Sequence, residues 1–186
     1  MSSKNLYRVG GIVAFLSTLL IFKDIFFAVR RYDTFFEYLF YLLLKNILFI
    51  ITAWALYHLY NSVARKLSLT ALILSILGAA VSFITWDSET LPIVWAFVSA
   101  SIHFVIPILL FGFLAYRHAQ LGMPQILWGI SILYALSWGI VDIVYGEVEL
   151  GFVDNLPSII ESVWLVWTGV ILLSGKLQES PEKTKA

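Results

Sequence analysis

Cysteine is absent from the 186 residues. This absence excludes disulfide bonds, thiol nucleophiles and zinc–thiolate sites. Charge is also scarce, because charged residues make up 13% of the chain, whereas soluble domains carry about 25%. Twelve Lys and Arg residues are balanced by twelve Asp and Glu residues. The chain therefore lacks the cationic excess with which nucleic-acid-binding proteins neutralise phosphates, and we expect no nucleic-acid partner.

Apolar residues dominate what is present. Hydrophobic residues make up 60% of the chain and aromatic residues 16%, and the mean hydropathy is +0.89. So little polar surface cannot cover a water-exposed globule. A helix of roughly 20 apolar residues crosses the roughly 30 Å of hydrocarbon in a bilayer. The sequence has six such segments, at about 9–28, 36–60, 69–85, 93–116, 125–145 and 158–174.

The six segments and their short connections predict the fold. We expect an all-α, polytopic membrane protein whose six transmembrane helices form a bundle of three antiparallel hairpins. Residues 1–176 are this transmembrane domain, and the polar residues 177–186 are expected to form a disordered tail. Eight of the twelve cations fall on the side of the two termini: Lys4, Arg8, Arg65, Lys66, Arg117, Lys176, Lys183 and Lys185. The positive-inside rule then predicts a multi-pass protein of the cell membrane with both termini in the cytoplasm.

Ionisable residues inside the spans are the most informative feature of the sequence. They are costly in hydrocarbon, and each is by default a candidate functional residue. All of them lie at the midplane or in the half of the bilayer away from the termini: Lys23, Asp24, Lys45, His103, Asp142 and Glu161. We therefore expect a polar crevice that opens to the outside. For Lys23, Asp142 and Glu161, snorkelling to the lipid headgroups is an equally good interpretation.

Lys45 is the residue that most requires a partner. It lies well inside the second span, where an unpaired cation costs at least a few kcal/mol. We expect it to form an ion pair with either Glu161 or Asp24. A buried pair of this kind indicates a binding site or a fixed helix register better than it indicates stability.

Aromatic residues accompany the two carboxylates of the last two spans. Tyr134, Trp138 and Asp142 are spaced i, i+4, i+8 and share one face of the fifth span. Trp164 shares a face of the sixth span with Glu161. Trp138 and Trp164 lie deeper than interfacial tryptophans, so each indole N–H needs an acceptor. The rings form either a wall that holds an organic cation beside the carboxylates or plain packing between the two spans.

Other site chemistries are not predicted. No two histidines lie at matching depths with a third ligand close by, so we expect no haem, no metal and no other cofactor. The chain has no G-x-S-x-G elbow, H-E-x-x-H helix, P-loop or dinucleotide fingerprint. It also has no G-x-x-x-G motif, so we expect Ala and Ser to provide the close approaches between helices.

Residues 6–17 (LYRVGGIVAFLS) and 46–68 (NILFIITAWALYHLYNSVARKLS) share a soft apolar pattern. In this pattern the chain resembles small six-helix membrane proteins of bacteria and archaea whose function is unknown. The resemblance covers roughly the first half of the chain. It implies the same six-span architecture, and it implies no activity and no functional residue.

One hypothesis accounts for all of these residues. They line an outward-facing crevice that binds or transports a small solute, such as an organic cation, or a proton. The candidate ligand-binding residues are Lys45, Glu161, Asp142, Asp24, His103, Trp138 and Trp164. One alternative is a membrane-embedded enzyme on a lipid-like substrate, with Glu161 or Asp142 as general acid/base and His103 assisting. The other is a non-catalytic subunit of a membrane complex, which adds an oligomeric or complex partner to the lipid bilayer.

Overall fold

The computed structural model describes residues 3–26, 35–85, 104–117, 123–144 and 155–174. These residues form five helices and no strand, and we number the helices in chain order. They are α1 (Ser3–Phe26), α2 (Phe35–Thr85), α3 (Ile106–Arg117), α4 (Met123–Val144) and α5 (Leu156–Leu173). The all-helical class predicted from the sequence is confirmed for this part of the chain.

Three of these helices are long and apolar enough to cross a membrane. The qualifying segments are Ser3–Lys23 of α1, Leu39–Val81 of α2 and the whole of α5. At about 1.5 Å per residue, the first of them is about 30 Å long, which matches the hydrocarbon thickness of a bilayer. Shorter apolar helices occupy Ile106–Arg117 and Gln125–Trp138.

Helix α2 is broken near its middle. Ala64 has φ −147° and ψ 63°, which are not helical values. The Ser68 hydroxyl donates to the carbonyl oxygens of Ala64 at 3.0 Å and of Arg65 at 3.2 Å, at the start of the helix that follows the break. The break falls within the connection expected between the second and third spans. We call residues 35–63 the first arm of α2 and residues 65–85 its second arm.

Helix α1 runs antiparallel to the first arm of α2. The Tyr7 hydroxyl donates to the backbone carbonyl of His58 at 3.4 Å. One turn further along α1, Gly10 lies against Ala55, which is one turn earlier in α2. The short connection between residues 26 and 35 and these two contacts make the first hairpin of the chain.

Helix α1 is also antiparallel to α5. Gly11 lies against Leu173, and further along α1 the Thr18 hydroxyl donates to the Ser162 carbonyl at 3.5 Å. The first arm of α2 and α5 therefore run in the same direction on either side of α1. This arrangement brings together two helices that are distant in sequence.

Helix α4 joins α5 to α3. Trp164 of α5 reaches Ser131 of α4, and Ser131 also lies against Gly112 of α3. The rings of Tyr116 and Trp128 lie 6.4 Å apart, so α3 and α4 are antiparallel. The buried apolar side chains of all five helices belong to one continuous core.

Glycines, and not only Ala and Ser, occupy the helix crossings. A Cβ atom on Gly169 would lie 2.9 Å from Phe15 and 3.1 Å from the Gly11 carbonyl, and one on Gly10 would overlap Ala55. The expectation that Ala and Ser alone provide the close approaches was therefore wrong. A G-x-x-x-G motif requires two glycines four residues apart on one helix, whereas Gly11 and Gly169 lie on two different helices and meet where these cross.

The outer faces of the helices expose large apolar side chains. Leu19, Phe40, Val63, Leu133 and Leu136 are each more than half exposed. A soluble monomer rarely exposes apolar residues on so many helices at once. This surface suits contact with lipid chains, in agreement with the length and composition of the three long helices.

Candidate functional site

An ion pair links the first arm of α2 to α5. The Lys45 Nζ atom lies 3.4 Å from Glu161 Oε2, and the two side chains are 20% and 5% exposed. The two residues meet because their helices run in the same direction along α1. The ion pair expected from the sequence is confirmed, and Glu161 is the partner of Lys45.

An aromatic ring completes the surroundings of the Lys45 ammonium. Its Nζ atom lies 4.7 Å from the centroid of the Phe104 ring, within the range of a cation–π interaction. Phe49 packs edge-on against the same ring, with centroids 5.2 Å apart. Phe104 forms a π-helical turn with Val105 just before α3. Sequence reasoning missed Phe104, because one phenylalanine among fourteen in an apolar chain carries no distinguishing signal.

Tyr134 of α4 faces Glu161. Ser131 contacts Trp164, and the residue three positions after Ser131 interacts with the residue three positions before Trp164, so α4 and α5 are antiparallel and these two residues lie at the same level. Those residues are Tyr134 and Glu161, and the tyrosine hydroxyl is close enough to interact electrostatically with the carboxylate. Tyr134 is fully buried. The sequence placed it on the face of Trp138 but did not identify it as a candidate.

Two buried donors beside this carboxylate have no hydrogen-bond partner within the described structure. They are the Tyr134 hydroxyl and the Trp138 Nε1 atom. Trp138 lies one turn from Tyr134 on the same face, and the two groups are neighbours without forming a hydrogen bond of acceptable geometry. A buried polar group without a partner is costly, so the pair marks a place where the described residues do not supply the needed acceptors.

Trp164 differs from Trp138 because its N–H is satisfied. Trp164 Nε1 donates to Ser131 Oγ at 2.9 Å, and Ser131 Oγ donates to the Leu127 carbonyl at 2.8 Å. The Trp164 side chain is buried. The acceptor that the sequence required for this indole is therefore Ser131, and the tryptophan ties α5 to α4.

The remaining candidates lie partly or wholly beyond the described residues. Asp24 and Asp142 belong to α1 and α4, but their side chains are outside the described part, and His103 is outside it altogether. Lys23 is exposed. Within the described helices, no three His, Cys, Asp or Glu side chains group closely enough to hold a metal ion.

Comparison with known proteins adds nothing to this site. No family model, curated protein or solved structure matches the chain. The resemblance to small six-helix membrane proteins of bacteria and archaea therefore stays a prediction. The chemistry of the buried residues is the basis on which a function is inferred.

Proposed function

We propose that the chain spans the membrane six times. Helix directions support this count. Helix α3 is antiparallel to α4, and α4 is antiparallel to α5, so α3 runs in the same direction as α5 and the first arm of α2. Phe104, just before α3, lies beside Lys45 and Phe49 of that arm. The chain must therefore return across the bundle between Ala64 and Phe104, and the second arm supplies that crossing.

Burial in the second arm supports the same assignment. Ala71, Ser75 and Ala79 follow one another at four-residue intervals, and all three are buried. Small residues at this spacing are typical of a helix packed closely against its neighbours in a membrane. The second arm therefore belongs to the bundle and corresponds to the third expected span.

The distribution of basic residues supports a cytoplasmic location for both termini. The Tyr7–His58 contact places the start of α1 and the end of the first arm at one end of the bundle. Lys4, Arg8, Arg65 and Lys66 are exposed there, on residues that precede or follow this contact closely. The positive-inside rule assigns that end to the cytoplasm, so the Lys45–Glu161 pair lies toward the outside.

We propose that this multi-pass membrane protein binds and transports a small cationic solute or a proton, with Glu161 as the binding carboxylate. The observation that carries the proposal is the Lys45–Glu161 pair, in which the Glu161 side chain is buried and the Lys45 side chain is one-fifth exposed. Its 3.4 Å separation exceeds the 2.7–2.9 Å of a close charge-assisted hydrogen bond, so the carboxylate is held but not saturated. Ionisable residues inside a membrane bundle are rare and mark ion and substrate pathways.

Lys45 acts in this proposal as a built-in competitor for the solute. It balances the Glu161 charge while the site is empty, which avoids an isolated carboxylate in a low dielectric. A solute cation that reaches Glu161 replaces the ammonium, and the face of Phe104 holds the displaced ammonium through the cation–π contact. A proton on Glu161 releases Lys45 in the same way. The pair is thus a two-state element that responds to solute.

Binding by purified protein tests the proposal. We expect small protonated amines to raise the thermal unfolding midpoint of the wild type and to enter proteoliposomes that contain it. The Glu161→Gln variant should lose both effects, because it keeps the side-chain shape without the charge. Lys23→Met is the control, since it removes an exposed cation and should behave as the wild type. A wild type that neither binds nor transports any amine or proton contradicts the proposal and favours a subunit role.

A further inference from the structure

The candidate site contains two buried donors, the Tyr134 hydroxyl and the Trp138 indole N–H, that have no acceptor among the described residues. Lys45 has three N–H donors, and Tyr134 and Trp138 each have one. The ionised Glu161 is an acceptor only, and Lys45 already occupies its Oε2 atom. Tyr134 and Trp138 therefore have donors that the described bundle leaves without acceptors. A ligand oxygen placed beside them would supply an acceptor for both donors.

The positions of the Tyr134 hydroxyl and the Trp138 indole N–H indicate where an acceptor of the ligand would lie. The Tyr134 hydroxyl is at the level of Glu161, and Trp138 is one turn further along the same face of α4. Ser131 and Trp164 close the other side of Tyr134, because their hydrogen bond occupies the next turn. Trp138 is therefore the member of the donor pair that lies further from the Trp164–Ser131 hydrogen bond.

The charge of the site limits the ligand further. Lys45 and Glu161 cancel each other, so the site is neutral before the solute enters. A solute with a cation alone would satisfy Glu161 and leave Tyr134 and Trp138 without partners. A solute with a cationic nitrogen and a nearby oxygen acceptor satisfies both sets of groups at once.

Resting on the proposed function, we propose that the solute carries an oxygen acceptor close to its cationic nitrogen, and that the Tyr134 hydroxyl and Trp138 indole N–H bind this oxygen while Glu161 binds the nitrogen. Small amino amides and small zwitterions have this chemistry. An amide carbonyl and a carboxylate present the same acceptor oxygen, and they are separated by experiment below.

Three probes of similar size distinguish the possibilities. Isobutylamine has the cation without an oxygen, glycinamide adds an amide carbonyl, and free glycine adds a carboxylate. Affinity is measured by the shift of the unfolding midpoint at a pH at which the amines are protonated. We expect the wild type to prefer at least one oxygen-containing probe over isobutylamine by about tenfold, which corresponds to about 1.4 kcal/mol.

Variants of the two donors provide the decisive comparison. Tyr134→Phe and Trp138→Phe remove one donor each and keep an aromatic ring, so each should reduce the preference to within about twofold. Tyr116→Phe and Trp54→Phe are the matched controls, because both residues are exposed and lie on other parts of the helices. These controls should keep the full preference of the wild type.

Each outcome decides one of the two proposals. A preference for glycinamide alone identifies an amide carbonyl, a preference for glycine alone identifies a carboxylate, and a preference for both probes identifies any acceptor oxygen. If isobutylamine binds as well as the other two, or if the preference survives in both donor variants, the oxygen acceptor is overturned while the proposed function stands. If none of the three probes binds and no other amine or proton does, the proposed function itself fails.

Discussion

Trp164 donates its indole N–H to the Ser131 hydroxyl across 2.9 Å, and Ser131 in turn donates to the Leu127 carbonyl at 2.8 Å. This relay joins α5 to α4 deep in the bundle. It also sets the register that places Tyr134 opposite Glu161. A single serine therefore couples the packing of two helices to the geometry of the candidate site.

Ser131→Ala is expected to destabilise the protein by about 1–3 kcal/mol, because it leaves the buried Trp164 N–H without an acceptor. Reversible unfolding in detergent measures this change. Ser17→Ala is the matched control, since Ser17 is also buried but donates only to the Val13 carbonyl of its own helix. Equal effects of the two substitutions would show that the hydrogen bond between helices contributes nothing.

Replacing one partner of the Lys45–Glu161 pair should destabilise the protein more than replacing both partners together. Lys45→Met and Glu161→Gln each leave one buried polar partner behind, and we expect each to lower the free energy of unfolding by about 3 kcal/mol. The double variant should lose clearly less free energy of unfolding than the sum of the losses of the two single variants. A double-mutant cycle in detergent measures this coupling. Strict additivity would mean that the two groups do not interact in the folded protein.

Tyr134→Phe should stabilise the empty protein by about 1 kcal/mol, because it removes a buried hydroxyl without a partner and keeps the ring. Tyr116→Phe should have no effect, since Tyr116 is exposed. The unfolding midpoint in the absence of any solute measures both. A loss of stability in Tyr134→Phe would show that the hydroxyl already has a partner, and it would remove the basis for placing a solute oxygen there.

Adding a methyl group to two glycines should have opposite effects. Gly10→Ala places a Cβ against Ala55 and should destabilise by about 1–3 kcal/mol through overpacking. A Cβ on Gly129 meets no atom within 4 Å. Gly129→Ala should therefore stabilise by up to about 1 kcal/mol through helix propensity. Unfolding measurements on both variants check the sign, and a Gly10→Ala variant as stable as the wild type would contradict the packing of α1 on α2.

The orientation of the protein in the membrane can be measured with single cysteine substitutions, because the chain has no cysteine of its own that would react with the label. We expect Lys4→Cys and Lys66→Cys to react with a membrane-impermeant maleimide only after cells are opened. Glu89→Cys lies in a connection expected on the outside and should react in intact cells. The reverse labelling pattern would show that the protein has the opposite orientation in the membrane. Labelling of the Lys4 and Lys66 positions from different sides would contradict the six-span proposal.

The helices could be predicted from the sequence because their length and composition are local properties. The segment expected at 158–174 is α5, which runs from Leu156 to Leu173. An unpaired Lys45 is costly in hydrocarbon wherever its helix lies, so the need for a carboxylate partner was also predictable. The break in α2 carries a weaker signal, because a single non-helical alanine has no sequence signature.

Segment length and composition are enough to establish that this protein is helical, that its helices are apolar enough for a membrane, and that Lys45 needs a counter-charge. The packing of the helices was needed to establish that Glu161 meets Lys45, that Phe104 lies over the ammonium and that Ser131 accepts from Trp164. The length of an apolar segment and the free-energy cost of burying its charge are properties of that segment alone. Which faces meet depends on the direction and rotation of all the helices together, and no single segment carries that information.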